Sequence, residues 1–114
     1  MLVDEVVFFL RPRGEGWVID ATVGMGGHAE AILSASGSGV RLLGLDTDAA
    51  ALAQARERLA VFGDRVALAH ASFGRVGTAA AEHGIDRARS ILLDLGVSSW
   101  QLEQSGRGFS FQGD

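Results

Sequence analysis

Short apolar runs and helix-forming stretches alternate along most of this chain, and that alternation restricts the fold more than any other feature. The runs are Trp17 to Asp20, Arg41 to Asp46, Val66 to Ala71 and Arg89 to Leu95. Each is short, rich in Val, Ile and Leu, and bounded by glycine or polar residues, as buried strands are. Between them lie Gly27 to about Ala35, Asp48 to Phe62 and Phe73 to His83, where alanine, leucine and charged residues favour helix. The SGSG run at Ser36 to Gly39 ends the first helix, and Gly84 closes the third. Strands joined through helices cross over right-handedly and run parallel. Four strands and three helices therefore predict a doubly wound, mostly parallel α/β sheet covered on both faces. Ahead of it, Val3 to Leu10 suits a short helix or a strand, a helix on the domain edge being favoured, before Pro12, Gly14 and Gly16 break the chain.

A chain of 114 residues suits one domain, residues 1–114, that removes roughly two thirds of its unfolded surface from water. The net charge of -4 excludes a global positive field for nucleic acid, so such a partner would need a local basic patch. Cysteine is absent, which excludes disulfides, thiolate nucleophiles and the common structural zinc sites, and no metal is expected. No apolar run approaches the ~18 residues of a bilayer span. The opening MLVDEVVFFLRPRG carries acids where a signal peptide carries bases, so the expectation is a cytoplasmic protein with no membrane partner. After the fourth strand only 19 residues remain, polar and glycine-rich, although SILLDL is apolar on both faces. The expectation is a fold truncated after about its fourth strand, whose exposed sheet edge invites self-association through unpaired backbone groups.

The first strand runs into DATVGMGGHAE, with glycine at three of four consecutive positions, Gly24, Gly26 and Gly27. At the carboxyl end of a parallel strand, such glycines let the backbone approach a ligand, while the following helix start offers N–H groups and partial positive charge. His28 belongs to the first helical turn, contributing its backbone N–H. Asp46 ends the second strand 20 residues after Gly26, the separation at which an acid accepts from both hydroxyls of a ribose. A tight turn without a ligand is the plainer reading of the glycines, and a helix cap that of Asp46, although Thr47 or Asp48 suits capping better. His70 and His83 fall at a strand end and a helix end, with no chemistry assigned.

Two adenosine-bearing ligands fit. Gly24-x-Gly26-x-x-Ala29 satisfies the dinucleotide fingerprint, which keeps a nicotinamide-dependent oxidoreductase in play. Asp20, four residues before Gly24, argues against it because a pyrophosphate repels a nearby carboxylate. S-adenosyl-L-methionine tolerates that acid through its amino group and sulfonium charge, and the reading tips towards methyl transfer.

The fourth strand ends in DLGVSSWQL, followed by RGFSF at Arg107 to Phe111. A carboxylate at this strand end could accept from an exocyclic base amine, whose delocalised lone pair makes it a poor nucleophile; Asp94 stands there. A cap or a contact to a cofactor amine is the alternative. Together DATVGMGGH, GLDTD, ASF and LLDLGVSSWQL with RGFSF resemble the bacterial 16S rRNA (cytosine-N4) methyltransferases of the MraW or RsmH type, over nearly the whole chain. The resemblance implies a Rossmann-like class I methyltransferase fold and N4-methylation of a cytidine in 16S ribosomal RNA of the small subunit. It implies S-adenosyl-L-methionine contacts at Gly26, Gly27, His28, Asp46, Phe73, Asp94 and Gln101, with Phe73 packing on adenine; Asp94 is the catalytic candidate by its position at the strand end. For Phe73, a core position in the third helix is the alternative. Family members continue with a helical insertion and further strands, so this segment alone is expected to methylate little. A non-enzymatic RNA-binding module, suggested by RGFSF, would need a βαββαβ order that this alternation does not supply.

Overall fold

The computed structural model describes residues 15–85, 87–93, 96–98, 101–105 and 108–112. The expected helix at Val3 to Leu10 and the side chain of Asp94 lie outside the described residues. The described elements are β1 (Glu15–Asp20), α1 (Gly27–Ala35), β2 (Gly39–Asp46), α2 (Ala49–Arg58), β3 (Val66–His70), α3 (Val76–Glu82), β4 (Arg87–Leu93), β5 (Gly96–Ser98), β6 (Gln101–Ser105) and β7 (Gly108–Gln112). Short 3-10 turns at Ala60–Arg65 and Phe73–Arg75 lead into β3 and α3.

The strands lie in the order β3-β2-β1-β4, all parallel, as the alternation of strand and helix requires. Side chains of β2 alternate between two apolar layers because strand side chains alternate faces. Leu42 packs with Val23, Ala29, Leu33, Leu52, Ala55 and Leu59 under α1 and α2. Leu43 and Leu45 pack with Ile19, Val76, Ala79, Ala80 and Ile91 under α3. Each fully buried leucine or isoleucine contributes about 1.5–3 kcal/mol, and β2 sends such leucines into both layers.

The helices end where their chemistry changes. In α1, the Ser36 N–H and Oγ both donate to the Ile32 carbonyl, at 3.0 and 2.6 Å, and chain direction turns there. In α2, Asp48 Oδ1 accepts from the N–H groups of Ala50 and Ala51 at 2.9 and 3.3 Å, a side-chain cap of the kind that stabilises a helix start by about 1 kcal/mol. The cap belongs to Asp48, not Asp46.

Three expectations are corrected. The second helix stops at Arg58 rather than running to Phe62, because Gly63 adopts φ 56° and Arg65 is drawn away to donate to the carbonyls of Leu33, Gly37 and Val40. The fourth strand starts two residues earlier than expected, at Arg87, and is described to Leu93; its expected last two residues lie outside the described residues. The polar segment after it also forms strands: β5 pairs antiparallel with β4 at Ile91–Leu93, β6 pairs with β4 through Arg87 and Ala88, and β7 pairs with β6. The β4 edge expected to stand open for self-association is thus occupied within the chain. Hairpin pairing satisfies backbone groups without needing apolar alternation, which is why composition concealed it.

Candidate ligand-binding rim

The carboxyl ends of β1, β2 and β3 form one rim. Asp20 at the end of β1 lies in register with Gly44, and Asp46 at the end of β2 with His70. The loop leaving β1 is drawn across β2: the Val23 N–H donates to the Leu45 carbonyl at 2.8 Å, and the Gly24 N–H donates to Asp46 Oδ2 at 2.9 Å. On the other side, the Ala71 N–H donates to the Asp46 carbonyl at 3.0 Å and brings the β3 exit against the same point. Asp46 is therefore the junction of all three strand ends.

Its carboxylate is half-buried, and its second oxygen, Oδ1, accepts from the Asp48 N–H at 2.9 Å. A carboxylate oxygen has two acceptor positions, so each can also receive a hydroxyl. Asp20 is 6% exposed, and its Oδ1 accepts from the Thr22 N–H at 3.2 Å. Burying a carboxylate is costly unless donors meet it, and the turn after β1 supplies at least one.

The glycines have distinct reasons. Gly24 and Gly26 hold φ of +56° and +92°, the left-handed region where a side chain is strained. Gly26 is also buried, and a Cβ there would meet Ala55 and Leu59 at 3.4 Å, an ordinary contact, so its backbone conformation rather than lack of space calls for glycine. At Gly27 a Cβ would come within 3.1 Å of Arg58 Nη1. Arg58 meets Glu30 at 3.8 Å in an exposed pair that adds little stability.

No side chain caps the start of α1. The first-turn N–H groups, including those of Gly27, His28 and Ala29, have no acceptor within the helix, which is the arrangement that binds an anionic or carbonyl oxygen. His28 is exposed in that turn. Phe73 opens the 3-10 turn after β3 and is 38% exposed. The alternative of a core position for it is thereby corrected: α3 buries Val76, Ala79 and Ala80 instead.

Gly26, Gly27, His28, Asp46 and Phe73 thus come to one side of the sheet. Gln101 does not join them through the backbone: β6 meets β4 at Leu102 and Ala88, and Ala88 lies beside Trp17, towards the amino end of the sheet. Sequence reasoning missed the close approach of Val23 to Gly44, where a Cβ would lie 2.8 Å from Val23 Cγ2. The signal was a glycine inside the otherwise apolar RLLGLD. His70 Nε2 bonds the Thr47 carbonyl at 2.8 Å and His83 Nδ1 the Ala79 carbonyl at 2.9 Å, structural bonds in both cases. Among the described residues there is no cluster of three metal-ligating side chains, and no helix long and apolar enough to cross a membrane.

A parallel β3-β2-β1-β4 sheet, layered by helices and carrying a glycine loop against an acid at the end of β2, defines a Rossmann-like α/β domain of the class I methyltransferase type. The chain belongs to the MraW methylase family, whose family model matches residues 1–114. It is 49% identical over 114 residues to ribosomal RNA small subunit methyltransferase H of Citrifermentans bemidjiense, covering 100% of this chain and 36% of that protein. It is 47% identical over 115 residues to the protein of the same name from Heliobacterium modesticaldum, covering 100% and 37%. The chain thus spans about a third of the length of the curated relatives it matches. In fold it is similar to an rRNA methylase from Streptococcus thermophilus, with a TM-score of 0.60 at 18% identity over 81% of this chain and 49% of that one.

Proposed function

We propose that this chain is the S-adenosyl-L-methionine-binding part of a cytoplasmic methyltransferase that modifies the N4 amine of a cytidine in 16S ribosomal RNA of the small subunit. The observation that carries the cofactor reading is the bond from the Gly24 N–H to Asp46 Oδ2. It holds the glycine loop, the uncapped start of α1 and the β2 acid together, so that hydroxyl acceptors and backbone donors face a single ligand. Asp46 would accept from the ribose hydroxyls, the α1 N–H groups of Gly27 and His28 would meet oxygens of the methionine end, and the exposed face of Phe73 would pack on adenine. The cofactor supplies an electrophilic methyl group when bound. Asp94, outside the described residues, is the proposed acceptor that lets the base amine pyramidalise as the methyl arrives. The RNA target rests on the match to the MraW methylase family and on the names of the relatives.

The buried Asp20 carboxylate disfavours the nicotinamide alternative, since two phosphates held over this loop would face it. Calorimetric titration of the chain with S-adenosyl-L-methionine and with a nicotinamide dinucleotide separates the two. Saturable binding of the first and none of the second is expected; the reverse pattern would overturn the proposal.

A further inference from the structure

Gly44 sits in the middle of β2, buried, in a sheet position where glycine weakens a strand by offering no side chain to pack. Its backbone does not require glycine, because it is not among the residues with positive φ. What it avoids is contact. A Cβ built there would lie 2.8 Å from Val23 Cγ2, 2.9 Å from Val23 Cβ and 3.0 Å from Leu68 Cδ2. Val23 is the residue of the glycine loop that crosses β2, and it is 4% exposed. Its own N–H donates to Leu45, the next N–H reaches Asp46, and its carbonyl accepts from the Gly26 N–H at 3.0 Å.

We infer that Gly44 is a positioning residue for the cofactor loop: the missing side chain makes a slot that takes Val23, and seating Val23 sets Gly24 on Asp46 and the start of α1 over the rim. The chain of contacts is short. Val23 in the slot places two consecutive loop amides on two consecutive β2 acceptors, the carbonyl of Leu45 and the side chain of Asp46. A side chain at Gly44 lifts Val23 and separates both pairs at once, although Gly44 itself is placed in none of the proposed ligand contacts. The effect on binding rests on the cofactor reading above; the effect on the loop does not.

The test uses Gly44→Ala in the whole 114-residue chain, with two readouts. Hydrogen exchange at the Val23 and Gly24 amides, measured without ligand, should accelerate by about tenfold or more as those bonds open, while the β2 and β3 ladder amides keep their protection. Affinity for S-adenosyl-L-methionine should fall by about tenfold or more. Adding Val23→Ala, and then Val23→Gly, removes first Cγ2 and then Cβ from the contact, so exchange and affinity should recover stepwise. Recovery with Leu68→Ala in place of the Val23 changes would assign the clash to general core packing and overturn the inference. Unchanged exchange at Gly24 in Gly44→Ala would also overturn it. Should Gly44→Ala not fold, Val23→Ala alone withdraws Cγ2 from the slot: faster Gly24 exchange supports the inference, and unaltered exchange defeats it. If the unmodified chain binds no S-adenosyl-L-methionine, the functional proposal fails while the exchange data still decide the role of Gly44.

Discussion

Replacing Asp46 by alanine tests the rim without any ligand. The substitution removes two hydrogen bonds to a charged acceptor, from Gly24 N–H and from Asp48 N–H, each 2.9 Å long. Bonds to charged groups contribute about 1.5–3 kcal/mol each where water cannot replace them. The Gly24 bond is partly buried, but the Asp48 N–H is exposed and water recovers most of its bond. The expected loss is therefore about 2–3 kcal/mol, a large share of the roughly 5–15 kcal/mol that holds a domain of this size. That loss corresponds to a melting temperature lower by about 8–13 °C. Asp46→Asn keeps one carbonyl acceptor but turns an amide NH2 towards a backbone donor, so it should fall between wild type and alanine. Urea denaturation with an unchanged m value is the assay, since only the midpoint should move. Equal midpoints for wild type and Asp46→Ala would refute the staple between loop and strand. Calorimetry on the same variants then reads how much further affinity for S-adenosyl-L-methionine falls.

Three other changes have distinct signatures. Phe73→Ala should cost about 1–2 kcal/mol of stability, because the 38% exposed ring is only partly buried, yet weaken S-adenosyl-L-methionine about two- to tenfold by calorimetry. A loss of about 3–5 kcal/mol in denaturation with unchanged affinity would instead mark a core ring. Arg65→Ala should cost about 2 kcal/mol in thermal denaturation, since its guanidinium joins the end of α1 to the start of β2 through three carbonyls; lysine should restore only part of this. Asp48→Ala should cost about 1 kcal/mol and speed amide exchange in the first turn of α2.

Local chemistry was enough to find the strand and helix alternation, the glycine stretch after β1, the helix start that follows it and the acid ending β2. Those features depend on side-chain periodicity and on residues near one another in the chain, so they can be read without knowing what packs on what. The early end of α2 could not be read this way: the run through Val61 and Phe62 favours helix locally, and only the pull of Arg65 on Leu33, Gly37 and Val40 shows why the path changes. The strands β5 to β7 were likewise hidden, because pairing across a hairpin answers to backbone partners far apart in sequence. At the rim, spacing announced Asp46, whereas its hold on the Gly24 amide and the slot that Gly44 opens for Val23 came from the tertiary structure. The reason is geometric. Composition and period set which face of each element is apolar, but contacts between residues some 20 positions apart exist only once the sheet has brought them within a few ångströms.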